Sequence, residues 1–515
     1  MFKNKAALGA QIGLLTSILI LISNFFLRSY FVKVYGSDLT GYYLLVVQLM
    51  GVLNLAELGV STALTYILFK PLHNKNEYEL KELYFIIKKI YNIIALVILC
   101  VGVFFFFFLH LIVNANISFE NLYITWGVFV VSTSLSYLYS SQSILLTADQ
   151  NIYLVKSVTG LMRTLTYILQ IYLMTYGVSF WIVCAIELLS NVLQLFIFNK
   201  ITLSKYPYIA VSNTNNFIDN EGIKHVKVKI RKEIKYTFVH KFAGVIVFNT
   251  DYLIISIFLG VSVITSFSSY MMLIQALGFI ISAIASPLGA HIGAKLYTDS
   301  KEKLINLLSL YNSIFFMLGI LCAYMFYISS SAFVSIWMGK TVSLDQSSVL
   351  LLSVNCFVLI ARTSFDAAKV GLGYMSDIQL PLLEASINII LSLILVHYLG
   401  LNGIIFGTLI SNVLVVMFLK PIFLYKNALQ LHHSFIFFEL IKNWFFALIF
   451  LLLMFTTVGK VILISNSWLS FIGQIFVNSV IPMLLLMIVY SIFDSNIRGV
   501  IMMGIRKLSG IKKMH

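Results

Sequence analysis

Apolar blocks of about twenty residues recur along the whole chain, and they leave it one class of fold. Inside a bilayer every backbone N–H and C=O must be satisfied by helix or closed barrel. Barrel strands alternate over about ten residues, which these continuous blocks do not. Hydrophobic residues make up 60% of the 515, and charged residues only 11%. A soluble domain carries about 25% charged residues. Surface-to-volume scaling lets no soluble core hide so much apolar surface, which excludes a soluble enzyme with a membrane tag. The chain reads as an all-α polytopic membrane protein.

Fourteen spans are predicted, near 10–34, 41–68, 84–110, 119–143, 153–176, 178–199, 236–259, 265–290, 304–330, 347–368, 378–399, 402–424, 435–458 and 467–492. The segment Met1–Phe31 lacks a small-residue cleavage site and runs on through Arg28, so it reads as a first span. The lysines and arginines test the count. With a cytoplasmic N-terminus, 31 of the 35 fall on inner segments. Only Arg28, Lys33, Lys340 and Lys460 stay outside. The positive-inside rule demands such a split, and one span more or fewer would scramble it. Both termini are therefore expected in the cytoplasm, and the net charge of +15 is read as a topology signal, not as a nucleic-acid surface.

The long polar stretch, 200–235, is basic and reads as a cytoplasmic linker near anionic headgroups. It divides the chain into an N-lobe of spans 1–6 (1–199) and a C-lobe of spans 7–12 (236–424). Spans 13 and 14 and a basic tail (425–515) follow. Six is even, so both lobes start in the cytoplasm, and an internal duplication would be parallel. Asn24 to Gly36 followed by Tyr42, and Asn249 to Gly260 followed by Tyr270, carry the same pattern.

Enzyme chemistry is missing from the sequence. There is no phosphate-cradling loop, and Gly371-Leu372-Gly373-Tyr374 lacks the third glycine of a dinucleotide fingerprint. His432-His433 has no partner ligands, and Cys100, Cys184, Cys322 and Cys356 each sit alone in an apolar run. No metal and no cofactor are expected. Phe104 to Phe108 reads as lipid-facing bulk, and Pro287 should bend span 8.

The informative residues are charges inside the spans: Arg28, Glu57, Arg163, Glu187, Asp251, Arg362, Asp366 and Glu384. Each costs at least ~2.5 kcal/mol near the bilayer centre, so such groups face water or a partner. Arg362 and Asp366 are four apart and able to pair. Glu384 shares a face with Asn388, a residue type that bonds between helices. Glu187 reads as structural. Arg28 has no carboxylate at helical spacing, and Arg163 needs an anion or water. A guanidinium forks its donors towards phosphate. Arg28, Arg163 and Arg362 are thus expected to line one cavity that takes an anionic headgroup.

Several stretches resemble a known family. Leu27-Arg28-Ser29-Tyr30-Phe31 with Tyr35-Gly36-Ser37, Leu55-Ala56-Glu57-Leu58-Gly59-Val60 and Lys70-Pro71-Leu72 are similar to the opening of bacterial polysaccharide flippases, the Wzx-type O-antigen and capsule repeat-unit translocases. Asn249 to Ile255, Leu383 to Asn388 and Gly400 to Thr408 resemble that family's seventh, eleventh and twelfth spans. The resemblance implies the multidrug/oligosaccharidyl-lipid/polysaccharide exporter superfamily, with fourteen spans in two six-helix lobes plus two. It implies a flippase, not an enzyme, in the bacterial inner membrane. The substrate would be an undecaprenyl-diphosphate-linked oligosaccharide moved from the cytoplasmic to the periplasmic leaflet. Arg28, Arg163 and Arg362 would meet the diphosphate. Glu57, Asp251, Asp366 or Glu384 could carry ion coupling. Membrane lipids and other polysaccharide-assembly proteins are the implied partners. Two alternatives stand beside it: an ion-coupled multidrug exporter, which usually needs only twelve spans, and a polysaccharide polymerase or glycosyltransferase, which usually shows a large outer loop absent here.

Overall fold

The computed structural model describes residues 2–54, 60–210, 242, 244–245, 249–374, 377–431, 440–445, 447–448, 467–493 and 498–499. All regular structure among them is helical. Ten of the described helices are long and apolar enough to cross a membrane. In chain order the helices are α1 (Phe2–Leu53), α2 (Val60–His73), α3 (Glu77–Phe106), α4 (Leu109–Ile112), α5 (Thr125–Leu138), α6 (Ser140–Ala148), α7 (Ile152–Thr175) and α8 (Phe180–Lys205). They continue as α9 (Val261–Thr298), α10 (Lys301–Met338), α11 (Gln346–Ala361), α12 (Thr363–Gly371), α13 (Gln379–Leu399), α14 (Leu401–Ser411), α15 (Lys420–Leu429) and α16 (Trp468–Phe493). Short π-helical turns, Glu120–Ile124 and Asn412–Leu419, lead into α5 and join α14 to α15.

Local chemistry sets the helix starts. Asn76 caps α3 by accepting from the Glu79 amide at 3.2 Å, with Glu77 and Glu79 in the positive first turn. Asp345 caps α11 by accepting from the Ser348 amide at 3.2 Å. Several helices outrun the predicted spans: α8 continues to Lys205 and α9 to Thr298. The end of an apolar run marks the edge of the hydrocarbon, not the end of the helix. Past that edge Lys295 and Asp299, four apart, form an ion pair at 3.2 Å. The first residues of the expected linker are folded too. Pro207–Ala210 makes a 3₁₀ turn, and the Tyr206 hydroxyl donates to Asp149 at 2.6 Å.

The chain forms two compact units, Met1–Thr265 and Ser266–His515. The first is packed around Leu64, Ile87, Tyr91, Leu145 and Phe198. It includes the described part of the expected seventh span, where Ser256 donates to the Ile112 carbonyl at 2.6 Å, and ends at Thr265, the first residue of the expected eighth, which donates to the Ser37 carbonyl at 2.7 Å. The second is packed around Phe316, Ile320, Tyr324, Phe357 and Met417, and α16 adds Leu486 and Tyr490. Phe104, Phe107 and Phe108 are exposed, as lipid-facing bulk should be.

Two sets of equivalent features repeat along the chain. Gly36 and Gly260 hold positive φ at helix breaks, and so do Gly177 and Gly400. The members of the two pairs stand 224 and 223 residues apart. Tyr42, fully buried, donates to the Leu122 carbonyl at 2.5 Å. Tyr270, fully buried, accepts from the Leu344 amide at 3.2 Å. In each half a tyrosine one turn or more past the glycine thus ties its helix to the start of a later one, α5 for Tyr42 and α11 for Tyr270. Such paired contacts are what a parallel duplication produces.

Glu57, His432-His433, 211–235, most of the expected thirteenth span and nearly all of the tail lie outside the described residues.

Gly36 breaks α1 with φ 78° and ψ −179°, a region essentially open to glycine alone. Nothing lies within 4 Å of where its Cβ would stand. Gly36→Ala should therefore cost about 1–3 kcal/mol through the backbone alone. Gly127→Ala, inside α5 and equally open, should instead gain about 0.5–1 kcal/mol. Thermal unfolding in detergent reads both.

Asp345 generates a second expectation. Burial opposes its ionisation, but hydrogen bonds from Ser347, Ser348 and Asn402 outweigh it and hold the carboxyl below its ordinary 3.8. A depressed carboxylate stabilises the fold above the unfolded value, and that stability goes as pH falls through the folded one. Acid titration of thermal stability should show this loss in the parent and not in Asp345→Asn.

Candidate functional site

In the first unit the intramembrane charges gather where α1, α7 and α8 meet. Arg163 stands in the middle of α7, and Glu187 faces it from α8. Their Nη1 and Oε2 atoms are 2.7 Å apart, and Glu187 is 5% exposed against 39% for Arg163. Tyr167, one turn along α7, accepts from Arg163 Nε at 2.9 Å, with the guanidinium 5.1 Å from its ring centre. Among the described residues nothing accepts from Nη2. The pair is thus held firmly on one edge and open on the other. The anion that Arg163 required is Glu187, buried and answered, which agrees with the structural reading of that carboxylate.

Arg28 on α1 sits within electrostatic reach of Tyr252, Tyr167 and Tyr43, all three buried. Arg163 reaches Tyr167 and Tyr43 as well. The two arginines are therefore brought together around shared tyrosines. Asp251, beside Tyr252, is buried at 6% exposure. One turn beyond Glu187, Asn191 donates to Ser132 Oγ and accepts from the Tyr139 hydroxyl, each at 2.7 Å. A polar seam thus runs from the arginines into α5 and α6, where each group has a partner within the apolar surroundings.

The second unit holds a separate cluster. Arg362, at the junction of α11 and α12, donates through Nε to Asp366 at 3.2 Å, the pair expected from their spacing. Lys369 meets Asp377 at 2.5 Å, and Lys420 meets Glu384 at 2.8 Å. Glu384 also lies within electrostatic reach of Arg362. Six ionised groups thus balance, three of each sign. Asn388 donates to Thr408 Oγ1 at 2.8 Å across α13 and α14, as its place on the Glu384 face predicted. Arg362 and Asp366 border a groove of about 290 Å³ between α9 and the α11–α12 stretch.

The sequence singled out Arg28, Arg163, Glu187, Asp251, Arg362, Asp366 and Glu384 as charges inside the spans. It missed Lys369, Lys420 and Asp377 as partners, and Tyr43 and Tyr167 as the shared neighbours of the arginines. Tyr167 carried a signal, four residues from Arg163. Lys420 did not, because 36 residues separate it from Glu384. Among the described residues no cluster of His, Cys, Asp and Glu could hold a metal ion, and the four cysteines are free thiols.

No family model matches the chain, and no curated protein matches it. Solved structures do. The lipid II flippase MurJ in an inward closed conformation superposes with a TM-score of 0.65 at 15% identity, over 93% of this chain and 98% of that one. An inward-facing multidrug resistance MATE family transporter of the MOP superfamily gives 0.59 at 13% identity, over 88% and 99%. A mutant of the Vibrio cholerae MATE transporter VcmN gives 0.52 at 13% identity, over 84% and 99%. The chain therefore has the all-helical, multi-pass fold shared by these membrane transporters.

The Arg163–Glu187 geometry has a measurable consequence. Arg163→Ala leaves a carboxylate at 5% exposure without its cation. It should destabilise the protein more than the double variant with Glu187→Ala does. A double-mutant cycle read by thermal unfolding should give a coupling of about 0.5–3 kcal/mol.

Proposed function

We propose that this chain is a flippase for undecaprenyl-diphosphate-linked oligosaccharide repeat units. It moves them from the cytoplasmic to the periplasmic leaflet of a bacterial inner membrane by alternating access, for O-antigen or capsule assembly. The observation that carries the proposal is the Arg163 guanidinium, held at bilayer depth with one edge fixed by Glu187 and Tyr167 and Nη2 open. A fork already oriented loses little further freedom when it meets a phosphate oxygen. Arg28, sharing Tyr167 and Tyr43 with Arg163, supplies a second cation for the same diphosphate.

The likeness to MurJ, a lipid II flippase, supports the reading by extending over nearly the whole of both chains. The MATE fold is matched just as completely but leaves more of this chain over. α16, packed on α10 through Phe471 and Ala332, suits a chain with more spans than a twelve-span exporter needs. Ion coupling would fall to Glu57, Asp251, Asp366 or Glu384. Glu384 already holds Lys420, so an incoming cation must compete with it there, whereas Arg362 occupies only one carboxylate oxygen of Asp366.

The test is transfer of a fluorescent undecaprenyl-diphosphate oligosaccharide across proteoliposomes. Arg163→Gln and Arg28→Gln should each slow transfer by roughly tenfold or more, in keeping with about 1.5–3 kcal/mol for a hydrogen bond to a charged group. Glu187→Gln keeps the cation but removes its counter-charge, so it should tighten lipid binding and slow transfer at the release step. Wild-type rates in Arg163→Gln would remove the diphosphate role. Altered drug susceptibility with no lipid transfer would replace the proposal with a multidrug exporter.

A further inference from the structure

The groove in the second unit has a different character from the arginine cluster in the first. Its α9 wall is built from Gly278, Ser282, Ser286 and Gly289, spaced to share one helix face. Two positions on from Gly278 and Ser282, on the opposite face, Ile280 and Ile284 are 55% and 61% exposed. The large apolar face of α9 is therefore the one suited to lipid, and the small polar face is not. The α11–α12 wall presents Arg362, Thr363 and Asp366. The two walls touch at glycines beyond each end of the polar stretch: a Cβ on Gly278 would stand 3.2 Å from Leu359 Cδ2, and one on Gly289 3.1 Å from Val370 Cγ1. Between those contacts lies the groove.

Its polar atoms are only half used. Arg362 spends Nε on Asp366 Oδ2, while Nη1, Nη2 and Asp366 Oδ1 have no hydrogen-bond partner among the described residues. The groove thus offers donors and acceptors side by side. An apolar occupant would strip water from them and return nothing. A phosphate would match Arg362 but press a second negative charge on Asp366. The six groups of this cluster, the pair included, already balance, so such a charge would go unanswered. A neutral ligand rich in hydroxyls meets both halves of the pair, donating hydrogen bonds to Asp366 and accepting them from Arg362. The volume of about 290 Å³ sits at the small end of the roughly 300–1,000 Å³ typical of ligand pockets, so one ring fits and a whole repeat unit does not.

We infer that the groove between α9 and α11–α12 is a subsite for a neutral sugar ring, with Arg362 as hydrogen-bond donor and Asp366 as acceptor. The inference rests on the flippase reading and deepens it. It moves Arg362 from the diphosphate to the carbohydrate, leaving Arg28 and Arg163 for the phosphates.

The experiment places a reporter in the groove. Ser282→Cys is made in full-length protein whose Cys100, Cys184, Cys322 and Cys356 are replaced, and its reaction with a small water-soluble maleimide is followed in membrane vesicles. The thiol should react. Glucose, galactose, rhamnose and N-acetylglucosamine are each added at high millimolar concentration, and at least one should slow the reaction severalfold. Pyrophosphate should not, and Asp366→Asn should erase the protection. Silence from all four sugars, equal or better protection by pyrophosphate, or a thiol that never reacts would each overturn the inference. Transfer of the lipid-linked oligosaccharide is measured on the same vesicles. If sugars protect but nothing is transferred even by the unsubstituted protein, the flippase reading fails and the sugar subsite stands. If transfer is intact and protection absent, the reverse holds.

Discussion

A charge in hydrocarbon must be answered, and the architecture of this chain follows from how it answers them. The four ion pairs of the two clusters do so in three ways. Arg163 and Glu187 pair across a helix hairpin, where the Gly177 turn brings α7 and α8 side by side. Arg362 and Asp366 pair along one helical stretch. Lys369–Asp377 and Lys420–Glu384 staple α12 and α15 to the chain around α13. Removing one partner would strand the other, so the pairs fix which helices are neighbours and in what register. The hydrophobic effect, which does this in water, has little to offer between helices already immersed in lipid.

The duplicated design extends the same logic to the backbone. Glycine breaks at 36 and 260 and at 177 and 400 let helices reverse within a residue or two. Short reversals leave few peptide groups without helical partners. Where the following loop does need one, a buried tyrosine supplies it: Tyr42 donates to Leu122, and Tyr270 accepts from the Leu344 amide. The opposite sense of those two bonds shows that position, not the particular bond, is what the two halves share.

Much of this was legible in the residues because the bilayer enforces simple rules. The all-helical class follows from block length, and α7 and α13 fall within about a residue of the spans read from apolarity, 153–176 and 378–399. The Arg362–Asp366 pair and the Asn388 bond were visible through helical periodicity. Contacts between elements distant in sequence were not: nothing local to Glu384 points to Lys420, and nothing near Arg28 points to Tyr167. Helix ends at α8 and α9 lie beyond the predicted spans because hydropathy reports solvent, whereas the helix obeys its own hydrogen bonds.

Neutralised arginines do not weaken the case for transport; they shape it. A carrier must hold its cargo tightly enough to load and loosely enough to let go. A bare guanidinium in low dielectric would bind a diphosphate with an attraction too strong to reverse, and would itself be costly to insert. Glu187 and Tyr167 satisfy most of Arg163 beforehand, so in the proposed flippase a phosphate would gain only the remaining donors. The bound and empty states then differ by a hydrogen bond or two instead of by an unpaired charge. Under the proposed function that small difference would let one site serve both leaflets, because neither state would trap the protein.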